Sequence, residues 1–132
     1  MGTETNNMKK VISTINAPAA IGPYSQAILS NNTLYCSGQI AINPTTGNLV
    51  MENITSETNQ VMQNILAVLT AADMDFSHVV KCSIFMKDMN DYTAINEVYA
   101  KIFGENPPAR EAVQVSVLPK NVNLEISVIA ER

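Results

Sequence analysis

An α+β fold is predicted, a mixed β-sheet carrying two helices on one face. Three observations carry this. The C-terminal stretch holds two runs rich in Val, Ile and Leu, residues 112–118 and 122–130, each with polar residues interleaved at period two and parted by Pro119-Lys120-Asn121. Residues 55–72 and 92–103 instead repeat their apolar side chains at helical spacing, and an alternating run over 79–87 lies between them. Ahead of all these, two β-favouring runs flank Asn31-Asn32, the pattern of a tight hairpin. Successive strand–helix units put helices on one face of a sheet and leave the other face to be covered, and self-association would supply that cover.

In chain order, residues 1–8 are polar and unpatterned and are expected to form a flexible segment ahead of a single domain over 9–132. Residues 9–15 read as a short first strand. Pro18, Gly22 and Pro23 exclude regular helix between Asn16 and Tyr24, so an irregular surface segment is expected there, a kind that often carries function. Residues 27–30 and 33–42 form the hairpin, and Asn43-Pro44-Thr45-Thr46-Gly47 is a turn. Thr55 stands where it would cap the first helix, whose stripe includes Val61, Ile65, Val68 and Leu69. The strand over 79–87 alternates Cys82, Ile84 and Met86 with Lys81, Ser83 and Lys87. Asp88 or Asn90 would cap the second helix, which buries Tyr92, Ile95, Tyr99 and Phe103 and ends at Gly104.

Eight basic against twelve acidic side chains give a net charge of −4, and no run of Lys or Arg makes a basic patch, so nucleic acid is an unlikely partner on electrostatic grounds. Apolar runs fall well short of the roughly 20 residues of a membrane helix, and residues 1–12 lack the apolar core of a signal peptide, so a cytoplasmic protein without membrane contact is expected. Cys36 and Cys82 stand singly in predicted strands, without metal or redox spacing, and are expected in the core. His78 is the one histidine and lacks the clustered partners of a metal site or a triad. Neither metal nor cofactor is expected. The scattered Met51, Met62, Met74, Met86 and Met89 are expected to fill gaps in the core.

Two charges stand where strands do not ask for them. Arg110 follows Pro107-Pro108-Ala109 at the entrance of a strand; its planar guanidinium suits bidentate pairing with a carboxylate, and equally a surface ion pair. Glu125 shares a strand face with Asn123, Ser127 and Ile129, where a carboxylate either orients and deprotonates a water or faces solvent at an edge. Tyr24 could present a phenol from the irregular segment or pack as an ordinary tyrosine. Ser37-Gly38 interrupts a strand, marking either close approach of another group or a β-bulge. Were the last two strands a local hairpin, Arg110 would lie roughly 16 Å beyond Glu125 on the opposite sheet face. Either these strands are not neighbours or the site joins two subunits.

Three ordered motifs resemble the RidA (YjgF) family: Asn16-Ala17-Pro18 through Gly22-Pro23-Tyr24-Ser25-Gln26-Ala27, then Ser37-Gly38-Gln39-Ile40, then Pro108-Ala109-Arg110 with Leu124-Glu125-Ile126-Ser127-Val128. The resemblance spans about residues 9–131. It implies a homotrimer of chorismate-mutase-like subunits that hydrolyses reactive 2-imino acids, such as 2-iminobutanoate and 2-iminopropanoate, to 2-oxo acids and ammonia without a cofactor. It further implies Glu125, Arg110 and Tyr24 as catalytic residues, and Arg110, Tyr24, Ser37, Gly38, Asn96 and Ala112 as substrate-binding ones, in a cleft between subunits. The alternative is a regulatory module binding small molecules in the same cleft without turnover. Many family members carry Ser-Cys after the arginine where this chain has Glu111-Ala112, which rules out a thiol nucleophile there and is expected to place a negative charge near the anion site.

Overall fold

The computed structural model describes residues 9–132; the N-terminal segment expected over 1–8 lies outside the described residues. Strands β1 (Lys10–Ile12), β2 (Ala27–Ser30), β3 (Thr33–Gln39), β4 (Val79–Met86), β5 (Ala109–Gln114) and β6 (Leu124–Glu131) accompany helices α1 (Ile54–Ala71) and α2 (Tyr92–Phe103). The strands form one mixed sheet in the order β1-β2-β3-β6-β4-β5. Every pairing is antiparallel except β4–β5, which is parallel. A parallel pair needs a long crossover, and α2 supplies it.

That crossover decides the arrangement of the C-terminal strands. β4 lies between β5 and β6, so the local hairpin does not form and the two strands are not neighbours. β5 begins and ends earlier than its Val-rich run suggests. Its partner β4 runs from Lys81 opposite Ala109 to Met86 opposite Gln114, and beyond the bond from Val115 N to Met86 O there is no edge left to pair. Arg110 is therefore the second residue of a strand that begins at Ala109, at its entrance as expected but within the pairing rather than ahead of it.

Two helix caps also differ from expectation. Asn53, not Thr55, caps α1, its side chain accepting from Ser56 N; an Asn at that position satisfies a free N–H one turn earlier. Asp88 caps a single 3₁₀ turn, Met89–Asp91, that leads into α2. Gly104 closes α2 with φ 62°, a left-handed conformation that glycine adopts without strain.

Both helices pack on one face. Val61, Ile65 and Leu69 of α1 and Ile95 and Tyr99 of α2 meet Leu34, Ile84, Leu124 and Ile126 of the sheet in one core. Cys36 and Cys82 are free thiols in this core, and burial pushes Cys36 up to about 12. Met62, Met74 and Met86 are buried, whereas Met89 lies 43% exposed in the 3₁₀ turn, outside the core expected for it. The other sheet face carries no helix. Toward Glu125 it holds a small second cluster of Ile40, Leu118 and Val122 with Phe85, and elsewhere it exposes Tyr35 and Val113. Among the described residues no helix is long and apolar enough to cross a membrane.

Candidate active site

Glu125 lies on the helix-free face of β6, opposite Phe85 of β4. On its other side β3 is irregular: Cys36 pairs with Val128 and Gln39 with Ile126, so Ser37 and Gly38 together oppose one residue of β6. This is a bulge, and it is also a close approach. A Cβ on Gly38 would lie 2.7 Å from Cδ of Glu125 and collide with its carboxylate oxygen, so only glycine lets the carboxylate lie across the strand. Partial burial without a cationic neighbour raises the Glu125 carboxyl above the ordinary glutamate value.

Above this carboxylate opens a pocket of about 360 Å³, with Glu125, Gly38 and Ser37 at its base and Tyr24, Ile21 and Pro119 among its walls. Among the described residues Glu125 is the one charged side chain lining it. The irregular segment forms one wall because Gln26, buried, donates to the carbonyls of Thr14, Ala17 and Pro18 and accepts from Thr14 N. The Tyr24 hydroxyl accepts from Ile21 N at 3.3 Å, which leaves its proton available to a ligand. Ser37 Oγ donates to Ser25 O at 2.6 Å and ties the bulge to the same wall. Asn64 of α1 holds the far side by donating to the carbonyls of Ile40 and Ile42.

Arg110 faces the other way. Adjacent strand residues point to opposite faces, and Arg110, level with Cys82, turns toward α2. There Nη1 donates to Asn96 Oδ1 and Nη2 to the Tyr92 hydroxyl, both at 2.8 Å. The guanidinium carbon lies 5.5 Å from the Tyr92 ring centroid and 4.7 Å from that of Tyr99, so two aromatic faces flank the cation. Burial raises the Tyr99 phenol well above its ordinary value, and among the described residues its oxygen meets no hydrogen-bond partner. Arg110, Asn96 and Tyr99 line a second cavity of about 310 Å³ at the end of α2.

The expected site residues thus fall into two groups. Tyr24, Ser37, Gly38 and Glu125 come together around one pocket, and Arg110 with Asn96 around the other. Ala112 shares the helix-side face with Arg110 but packs against the core. Arg110 and Glu125 lie two strands and three residues apart, roughly 14 Å, on opposite faces of the sheet. Within one chain they do not touch a common small ligand. The expected negative charge of Glu111 beside the anion site is corrected: Glu111 points to the helix-free face, pairs with Lys81 Nζ at 2.9 Å and accepts from Ser83. Those hydrogen bonds, Ser83's foremost, hold its carboxyl below the ordinary range.

Tyr92, Gln26 and Asn64 were not singled out as site residues by sequence. A signal existed for two of them: Tyr92, Asn96 and Tyr99 share one helix face at i, i+4 and i+7, and Asn64 interrupts the apolar stripe of α1. His78 serves a structural role, its Nδ1 accepting from Asp75 N across a 3₁₀ turn. Among the described residues no three His, Cys, Asp or Glu side chains form a metal-binding group.

A family model described as Endoribonuclease L-PSP matches residues 14–132. A RutC family protein from Pyrococcus horikoshii is 54% identical over 123 residues, 93% of this chain and 98% of that protein. The human 2-iminobutanoate/2-iminopropanoate deaminase is 46% identical over 123 residues, 93% of this chain and 90% of that one. The crystal structure of E. coli TdcF with bound serine superposes with a TM-score of 0.89 at 39% identity, covering 93% of this chain and 98% of that one.

Proposed function

Because the chain belongs to the Endoribonuclease L-PSP family, the family of the RidA and YjgF proteins, we propose that it hydrolyses 2-imino acids to 2-oxo acids and ammonia in clefts shared between copies of itself. The observation that carries the proposal is the Glu125 carboxylate lying over Gly38 at the base of a pocket that holds no other charge. Glu125 takes a proton from water as its oxygen adds to the imine carbon and passes that proton to the imine nitrogen, giving a neutral carbinolamine. Glu125 then takes the carbinolamine hydroxyl proton as the carbonyl forms and delivers it to the nitrogen, which leaves as ammonia, so water and imine give 2-oxo acid and ammonia in balance. An imine is already electrophilic, so the protein contributes positioning and proton transfer.

Arg110 supplies the carboxylate clamp. Asn96 and Tyr92 occupy one donor on each terminal nitrogen and fix the plane of the fork, and the remaining N–H groups are left for a substrate carboxylate. The serine bound to TdcF carries the carboxylate and α-nitrogen of this substrate class, which supports a ligand of that class. Since Arg110 and Glu125 lie on opposite faces of one subunit, the clamp of one copy serves the base of the next. β5 is an outermost strand of the sheet, so a neighbouring copy meets Arg110 around that edge, and packing of helix-free faces around a threefold axis covers Tyr35 and Val113, 51% and 42% exposed in the single chain. The family description also names an endoribonuclease. A net charge of −4 and a sequence without a run of Lys or Arg disfavour a polyanion, which favours the imino acid.

Ammonia release from freshly generated 2-iminobutanoate tests this reading. The wild-type protein accelerates it over buffer, and Glu125→Gln loses on the order of 10²-fold or more in kcat while still binding 2-oxobutanoate. No acceleration with retained 2-oxobutanoate binding would instead identify a binding module without turnover.

A further inference from the structure

Glu57 is the most deeply buried carboxyl among the described residues, with no exposed surface, in the first turn of α1. A buried carboxylate needs partners for both oxygens. Here both go to one residue on the far side of the fold: Oε2 accepts from Asn123 N at 2.9 Å and Oε1 from Asn123 Nδ2 at 2.8 Å. No cation takes part. Ordinary core packing at this helix position would be served by an aliphatic side chain, as at Val61 and Ile65 further along the stripe.

What the grip holds is the approach to the pocket. Asn123 lies between the Pro119–Asn121 turn and Glu125. In that turn Lys120 and Asn121 both adopt left-handed backbone, with φ 55° and 57°, a conformation that asparagine tolerates and lysine does not favour. Pro119 of this turn is a wall of the pocket, and Glu125 follows Asn123 by two residues. From the opposite side Lys87 completes the hold: its N–H donates to Asn123 O at 3.0 Å and its Nζ to Asn121 Oδ1 at 3.1 Å.

We propose that Glu57 is a positioning residue of this site: by clamping Asn123 through both carboxylate oxygens it fixes the pocket wall at Pro119 and the start of β6 from which Glu125 projects. The inference rests on the reading of Glu125 as the base only for its consequence in catalysis; the clamp itself is a statement about the backbone over 119–125. It acts through Glu125 and touches no substrate.

The test reverses the donor and acceptor of the clamp. Asn123→Asp sets two carboxylates face to face, and Glu57→Ala removes the acceptor; either lowers kcat on the order of tenfold to a hundredfold, because a displaced base is costly, with KM changed less. Combining Asn123→Asp with Glu57→Gln restores complementarity, since the introduced amide accepts from the backbone N–H and donates to the new carboxylate, and it recovers most of the rate. Amide hydrogen exchange over 119–125 follows the same order, fast in the single variants and slow again in the pair. Should Asn123→Asp not fold, Asn123→Ala, which removes only the side-chain bond, replaces it as the impaired single variant.

Unchanged exchange and kcat in the singles, or failure of the pair to recover either, overturns the clamp. If the wild-type protein does not accelerate imine hydrolysis, the reading of Glu125 falls, and the exchange data alone decide whether Glu57 holds the segment.

Discussion

At the scale of single residues the chemistry rests on where two charges find their surroundings. Glu125 lies across a glycine, and that glycine is replaceable only at the expense of the carboxylate's position. Gly38→Ala is therefore expected to keep the fold, by circular dichroism, and to lower kcat on the order of 10²-fold as Glu125 is driven off the strand. Burial raises the Glu125 carboxyl, so the pH dependence has a definite sign. As a base it works only when deprotonated; kcat/KM falls as pH drops through its folded-state value, with a midpoint above that of an ordinary glutamate, and Glu125→Gln abolishes this limb. Folding is linked in the opposite sense. The stabilising contribution of the protonated carboxyl is present below its unfolded value and is lost as pH rises through the folded one. Sequence alone placed Glu125 on the correct strand face, because alternation is a local property. Its contact with Gly38 was not legible, because it depends on β3 and β6 meeting across a bulge from distant parts of the chain.

At the scale of elements, α2 does two things: it bridges the parallel strands β4 and β5, and its face of Tyr92, Asn96 and Tyr99 receives the arginine carried by β5. Tyr92→Phe keeps the ring and removes the hydroxyl acceptor. Loss of one hydrogen bond to a charged group is worth about 1.5–3 kcal/mol, so KM is expected to rise on the order of tenfold while kcat changes less, as steady-state kinetics would show. The helices were legible because their apolar period persists over many turns. The limits of β5 were not, and the reason is physical. Residues 115–118 alternate as a strand does, yet Val117 is 66% exposed because β4 has ended; Ala109-Arg110-Glu111 lack β-favouring side chains yet are strand because β4 is beside them. Pairing overrides propensity at a sheet edge. The orientation of Glu111 follows from the same correction, for a residue inside a strand must face away from its neighbour Arg110.

At the scale of the whole molecule, one chain presents the Glu125 pocket and the Arg110 pocket on opposite faces of its sheet, and a sheet face without a helix. The order of the sheet, with β4 inserted between β5 and β6, could not be read from the sequence, since a local hairpin satisfies the same alternation. What could be read was that a local hairpin would hold Arg110 and Glu125 apart, so that either the strands are not neighbours or the site joins two subunits; the strands are not neighbours, and the two residues still lie on opposite faces. Assembly is then part of the mechanism we propose. Complementation between subunits tests this most directly. Arg110→Ala and Glu125→Gln proteins, each inactive, are dissociated reversibly, mixed in equal amounts and reassembled, and ammonia release from 2-iminobutanoate is measured. In a randomly mixed ring about a quarter of the clefts pair an intact arginine with an intact glutamate, so about a quarter of wild-type activity is expected. Activity no greater than that of the separate variants, in mixtures shown to contain hybrids, would contradict a site shared between copies.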